Sequence, residues 1–295
     1  MKIGDIVVRK SYGKDITFKI IDVKEEKSGN IYILKGIDLR LIADSTIEDL
    51  EIVENESLTK KEIIFNKQIN SSIRDILISR GGFRYSGGTA QEYNITKFAS
   101  HDSKNELAFG RPGKILHVDG DSEYLDVCIK VYKQLLLDVV GRNIAEKDQP
   151  SKVVELVKEI KPDIIVITGH DSVAKGTTDF MNLDNYKNSK YFVEAVSELR
   201  NYESNYDDLV IFAGACQSCY EKILDSGANF ASSPSRVLIH CLDPVFLCEK
   251  IAYTNIEKVV SIQEAIRNTI TRTNGIGGLQ TRGKYREGFP KSPYV

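Results

Sequence analysis

From Lys114 onward, short apolar runs alternate with longer stretches in which apolar residues recur every three or four positions. KILHVDG reads as a strand and SEYLDVCIKVYKQLLLD as an amphipathic helix. VVGRNI with SKVVELVKEIKP, DIIVITGHD with KYFVEAVSELRNY, and DLVIFAGACQS with CYEKILDSGA repeat the pair. ANFASS and RVLIHC read as further strands, with helices near 244–252 and 261–271. Strands alternating with helices predict an α/β fold, a mostly parallel sheet covered by helices on both faces. DIIVIT and LVIFA are nearly continuous apolar runs, as central strands buried on both sides require.

The first 55 residues follow another pattern. IGDIVVRKSY, ITFKIIDVKEE, NIYILKGID and LRLIADS are short β-branched runs separated by turn signals at Tyr12-Gly13-Lys14 and Ser28-Gly29-Asn30. They predict a small SH3-like β-barrel, serving either to dock partners or to cap the fold. Residues 56–112 break the pattern again. A helix over 62–78 would carry Ile63, Ile69, Ile73, Ile76 and Leu77 on an imperfect apolar face. Beyond it, Gly81-Gly82, Gly87-Gly88 and the polar run to Arg111-Pro112-Gly113 read as a linker or mobile insert. Arg80 and Arg111, next to Gly or Pro, are places where a protease would nick the chain. The expected organisation is a β module (1–55), a linker or helical insert (56–112) and an α/β domain (113–295).

Bulk properties narrow the function. A chain of 295 residues, 41% apolar with seven prolines, is an ordinary globular protein with room for one large and one small domain. Forty Lys and Arg against 42 Asp and Glu give a net charge of −2, which removes the field expected of a nucleic-acid or anionic-membrane binder. No run approaches the roughly 18 apolar residues of a bilayer span. MKIGDIVVRK lacks the apolar core and cleavage site of a signal peptide, so a cytoplasmic location is expected. Five cysteines do not suggest a disulfide framework, and reduced thiols are expected.

In a doubly wound sheet, chemistry gathers at the carboxyl ends of the strands. Two buried strands end in reactive residues: IIVITGHD at His170 and LVIFAGACQS at Cys216. A thiol with a pKa near 8.5 is a poor nucleophile until a base takes its proton. His170 is the candidate base. Gly169 and Ala215 let a substrate backbone approach, and the Cys216 N–H, just before the helix CYEKILDSG, is a natural oxyanion donor with the backbone near Gly169 or Asp171 as the second. Asp171 would orient His170 or cap the following loop. Asp119 and Asp121, on the same edge, are candidates for the pocket that receives the residue before the cleaved bond (P1), which would then be basic; the alternative is a turn and helix cap. Residues 227–236, GANFASSPSR, would wall the substrate groove, placing Ser232 and Ser233 as candidate substrate contacts, or form a tightly packed edge strand.

Other chemistries are weaker. Cys219 completes a CxxC, but without a second pair, and His240-Cys241 closes a tetrahedral zinc site awkwardly; no metal or other cofactor is expected. Ser232 and Ser233 lack the G-x-S-x-G elbow of a serine nucleophile. Gly275, Gly277 and Gly278 lack the strand-to-helix setting of a phosphate loop and read as a loop.

The 46 residues from His170 to Cys216 resemble the spacing of caspase-like (clan CD) peptidases, in which His precedes Cys by about 50. Ala215-Cys216 matches their nucleophile strand; Gly169-His170-Asp171 departs, because glycine precedes the histidine. A longer resemblance runs through IGDIVVRKSY, LRLIADS, GKILHVDGD, PDIIVITGHD, LVIFAGACQS, GANFASSPSRVLIHCLDP and GGLQTRG. Together these motifs resemble the YabG family of sporulation-specific proteases of spore-forming Firmicutes; residues 57–112 carry no matching motif. The resemblance implies a cysteine protease of the mother cell that processes spore coat and cortex-associated proteins, with His170 and Cys216 as its catalytic pair. The alternatives from residues alone are a non-catalytic coat-assembly adaptor and another thiol acyl-transferase or amidase.

Overall fold

The computed structural model describes residues 1–26, 29–37, 39–53, 67, 69–80, 83–85, 95–97 and 109–292. The chain divides into two compact units, residues 1–53 with 112–285 and residues 54–111 with 286–295.

The first unit opens with five antiparallel strands, β1 (Ile6–Arg9), β2 (Thr17–Glu26), β3 (Gly29–Gly36), β4 (Ile42–Thr46) and β5 (Leu50–Ile52), in the order β4-β3-β2-β1-β5. Phe18 and Ile20 alternate with partly exposed neighbours along β2 and meet Val7, Leu34 and Leu50 in a small apolar core. This period-2 burial is what the β-branched alternation in the sequence requires.

The larger sheet takes β6 (Ile115–Asp119), β7 (Val139–Asn143), β8 (Ile164–Thr168), β9 (Val210–Ala213), β10 (Phe230–Ser232) and β11 (Ile276–Gly278) in the order β7-β6-β8-β9-β10-β11. The first five are parallel, and β11 closes the edge antiparallel to β10. All of β8 and β9 is buried, which explains their unbroken apolar sequence. On one face Leu116, Val118, Ile165, Ile167 and Ile211 pack against Val153, Val157, Phe192, Val196 and Leu199. The last five lie on α2 (Gln149–Ile160) and α3 (Ser189–Tyr202). Against the sheet also lie α1 (Ser122–Gln134), which contacts β6 and β7, and α5 (Asp243–Ala252), which contacts β8; the short α4 (Tyr220–Asp225) follows β9. Ile115 pairs with Ile164 and Ile164 with Val210, so the ends of β6, β8 and β9 come out level on one edge.

Three local expectations change. RVLIHC is not a strand: Arg236 turns into the left-handed region (φ 53), and the segment makes isolated contacts, such as Gln217 N–H to Val237 O at 3.1 Å and a lone bridge of His240 to Leu39. The helix expected near 261–271 is two short turns, Ile262–Ala265 and Arg272–Gly275. The glycines read as a loop form strand β11, where Gly278 (φ +155) fits because a side chain there would meet the Asn229 carbonyl oxygen at 2.3 Å. The helix expected at CYEKILDSG runs from Tyr220 to Asp225, and between it and Cys216 Ser218 folds back to accept the Ala215 N–H at 2.9 Å.

The second unit contains helical residues 69–79, whose Ile73, Ile76 and Leu77 are buried. It also contains two antiparallel pairs, Phe83–Tyr85 with Ile95–Lys97 and Phe109–Arg111 with Arg286–Gly288. Arg111 therefore sits in a paired, exposed strand. Ile63, Gly81-Gly82 and Gly87-Gly88 lie outside the described residues. Among the described residues no helix is long and apolar enough to cross a membrane.

Candidate active site

β8 and β9 run side by side in parallel, Ile167 opposite Ala213, and deliver His170 and Cys216 to the same edge. Cys216 is almost sealed, 1% exposed. Its sulfur accepts the Ile239 N–H at 3.2 Å, and the Arg40 N–H also acts on it. Burial pushes the thiol up to about 11, with those N–H groups pulling the other way. In this closed arrangement Cys216 rests as a thiol at neutral pH.

His170 donates or accepts through Nε2 to Asp121 Oδ2 at 2.8 Å, while Nδ1 is buried with no hydrogen-bond partner among the described residues. Asp121 is doubly fixed. As the N-cap of α1 it accepts the Glu123 and Tyr124 N–H groups, and Lys35 of β3 reaches it at 2.7 Å. Burial raises the Asp121 carboxyl, but the His170 and Lys35 bonds outweigh it and hold the group well below the usual carboxylate range. An ionised Asp121 must accept from a proton-bearing nitrogen, so Nε2 carries a proton, and in the neutral ring the lone pair lies on Nδ1. The Tyr124 ring lies 5.8 Å from the His170 ring, and the Cys216 thiol is among the groups acting on the Tyr124 hydroxyl.

Asp171 makes no bond to His170. Its carboxylate accepts the Ser172 and Asn188 N–H groups and the Ser189 and Ser218 hydroxyls, tying the loop after β8 to the start of α3 and to the turn after Cys216. Burial raises its pKa against those bonds. Gly169 is shaped by Glu146, whose carboxylate would lie 2.2 Å from a side chain there and which accepts the His170 N–H at 2.6 Å. The His170 and Ala215 N–H groups are thus engaged, and so is that of Gln217, on the Ser233 hydroxyl at 3.1 Å. The Cys216 N–H has no partner among the described residues.

Ser232 and Ser233 brace the cysteine loop. Both are fully buried. The Ser232 hydroxyl donates to the Ala215 carbonyl at 2.7 Å and that of Ser233 to the Val237 carbonyl at 2.7 Å. Ser232→Ala is expected to cost about 1–3 kcal/mol, the penalty for leaving a buried carbonyl unmade, checked by urea denaturation of the two chains.

Asp119, at the end of β6, holds Arg40 in a two-pronged pair, Nη1 to Oδ1 at 2.9 Å and Nη2 to Oδ2 at 2.8 Å, with both side chains fully buried. Burial raises the Asp119 carboxyl, but Arg40 and His117 hold it well below its usual range, and Asp119 in turn raises Arg40. His117 is buried beside Tyr132 at 3.2 Å and kept neutral by desolvation. His240 is driven down to about 3 by burial and by Arg40. Cys219 donates to the Phe180 carbonyl at 3.5 Å. Among the described residues no group of three or more His, Cys, Asp and Glu could hold a metal ion, and all five cysteines are buried and none is in a disulfide.

Four contributors were not legible in the sequence. Lys35 and Arg40 come from the N-terminal sheet, Tyr124 from the first turn of α1 and Glu146 from the loop after β7. The one local signal was an arginine inside the apolar run LRLIADS.

Comparison with known proteins covers nearly the full length of the chain. A family model described as YabG peptidase U57 matches residues 2–290. The sporulation-specific protease YabG of Bacillus subtilis (strain 168) is 42% identical over 290 residues, which is 98% of each chain. The chain belongs to the YabG peptidase family, U57.

Proposed function

We propose that the chain is a sporulation-specific cysteine endopeptidase of caspase-like type in which Cys216 is the nucleophile and His170 its base. The observation that carries the reading is the His170 ring itself: Nε2 committed to an ionised Asp121, and Nδ1 left as a buried lone pair at the strand end next to Cys216. Nδ1 takes the thiol proton, and the thiolate attacks the scissile carbonyl. The Cys216 N–H, unengaged among the described residues, receives the oxyanion. The imidazolium then protonates the leaving amine, and water hydrolyses the thioester with His170 again as base. No cofactor enters these steps.

Asp119, an ionised carboxylate at the same edge, supplies a pocket for a basic residue, so cleavage follows arginine. The substrates are spore coat and cortex-associated proteins, met in the mother-cell cytoplasm as the coat forms; the Bacillus subtilis relative is itself a sporulation-specific protease. The N-terminal sheet is read as an SH3-like module, and residues 56–112 as an insert between it and the peptidase domain.

The test is a gel assay of purified wild type, Cys216→Ala and His170→Ala with proteins extracted from forming spores. Discrete fragments ending in arginine are expected from wild type and from neither variant. Equal cutting by Cys216→Ala would sink the assignment.

A further inference from the structure

The turn between β3 and β4 lies across the strand ends where Cys216 sits. Leu39 forms an antiparallel bridge with His240. His240 follows Ile239, whose N–H is bonded to the Cys216 sulfur. The next residue, Arg40, turns its own N–H toward that sulfur and sends its guanidinium down to Asp119. The Tyr124 hydroxyl clamps the turn from α1, lying against the Gly36 carbonyl and 2.7 Å from that of Leu39.

Each of these contacts is one that a bound peptide makes. Proteins that hold extended peptides add them as a strand, with main-chain pairing for affinity and a side-chain pocket for specificity. Leu39 supplies the pairing, Arg40 fills the pocket, and the backbone between them covers the nucleophile. A fully buried Arg–carboxylate pair roughly breaks even in stability against apolar residues of similar volume. A ligand-like role for Arg40 accounts for a pair that stability alone does not require.

We propose that the stretch Leu39–Leu41 is a resident inhibitor seated in the enzyme's own substrate cleft, with Arg40 in the place of a substrate's P1 arginine; this rests on the reading of Cys216 as nucleophile. The turn is built to stay. The Leu41 N–H donates to the Leu39 carbonyl at 2.7 Å and the Gly36 N–H to the Leu41 carbonyl at 2.8 Å, closing a compact loop around Arg40. A substrate is held extended across its scissile bond, whereas here the amide that would leave is bonded back into the loop. Cleavage of other proteins begins when the turn leaves and an external arginine takes the Asp119 pocket. The N-terminal sheet then carries the gate as well as the cap.

The experiment measures the rate at which a peptidyl chloromethyl ketone with P1 arginine alkylates the purified full-length chain, with the labelled residue located by peptide mass spectrometry. Wild type, Arg40→Ala, Tyr124→Phe and Cys216→Ala are compared, with a P1-leucine analogue as control. Arg40→Ala is expected to label at Cys216 at least about ten-fold faster than wild type with the arginyl probe and not with the leucyl one, a ten-fold rate being worth about 1.4 kcal/mol of barrier. Tyr124→Phe, which loosens the clamp but keeps the Arg40–Asp119 pair, is expected to fall between them. A folded Arg40→Ala that labels no faster overturns the proposal. If Arg40→Ala fails to fold, an unchanged rate in Tyr124→Phe overturns it. Wild type cut after Arg40 replaces the inhibitor with self-cleavage and also overturns it. Labelling that persists in Cys216→Ala removes the nucleophile assignment, and the inhibitor with it; unchanged rates with the label on Cys216 remove the inhibitor alone.

Discussion

Asp121→Asn is expected to lower kcat by about 10²–10⁴-fold, the range spanned by a general base that is lost or misdirected, while KM and the melting temperature stay close to wild type. Besides its ion pair with Lys35, which Glu123 shares, Asp121 does two jobs, and asparagine separates them. As the N-cap of α1 it accepts the Glu123 and Tyr124 N–H groups, and asparagine caps a helix about as well. As the partner of His170 it accepts from Nε2 at 2.8 Å, and there the amide is no substitute. An amide offering N–H to Nε2 selects the tautomer with the proton on Nδ1, which deprives the Cys216 thiol of its base. Asp121→Ala removes both jobs and should therefore lower the melting temperature as well. The checks are steady-state kinetics on one arginine-containing peptide and a thermal melt of the three chains. A fall in KM alone, or a kcat within about three-fold of wild type, would show that Asp121 serves the helix and not the histidine, since three-fold is under 1 kcal/mol of barrier.

How much of this was legible in advance follows from the range of each interaction. Strands β8 and β9 were plain, because burial on both faces leaves no position free for a polar residue, and their ends led directly to His170 and Cys216. The alternation in 1–55 led as directly to an antiparallel sheet. RVLIHC carried the same apolar signal as a strand. It runs as a single segment, half-buried over 236–238 and buried over 239–241, departing from a sheet at Ser233 and Arg236, both in the left-handed region; an apolar run reports burial and does not report pairing. GIGG was read as a loop because glycine favours turns, yet β11 needs it where Gly277 and Gly278 press on Tyr220 and Asn229. Asp121 stood among the acidic candidates, but its partner is 49 residues away. Arg40 lies 79 residues from Asp119, and Lys35 lies 86 from Asp121. Such pairings depend on how the N-terminal sheet meets the α/β sheet, which no local window contains. The first 53 residues were consequently read as a module apart, whereas they belong to the same compact unit as residues 112–285.

Asp119→Ala is expected to destabilise the fold by about 3–5 kcal/mol, because it strands a buried guanidinium without its counter-charge. For a unit of this size each kcal/mol lowers the melting temperature by about 2–4 °C, so a fall of roughly 6–20 °C should be visible by calorimetry. Both side chains are fully buried and joined by one hydrogen bond of 2.9 Å and a second ion-pair contact at 2.8 Å, so water has little access to take the place of the lost carboxylate. The pH dependence carries the same sign. Asp119 is held below its ordinary range when folded, so its contribution is complete above the unfolded value near about 4 and is lost only as pH falls towards the lower folded one. Wild type should keep this part of its stability at mildly acidic pH, and Asp119→Ala should lack it throughout. The double variant Asp119→Ala with Arg40→Met decides what the pair is for. Replacing both charges by apolar groups is often neutral or favourable, so most of the lost stability should return. If it does, the Arg40–Asp119 pair is not needed to hold the fold together, and closing the cleft is what its charges serve. If stability does not return, the two charges are part of the framework that joins the N-terminal sheet to β6, and removing either disturbs more than the pocket.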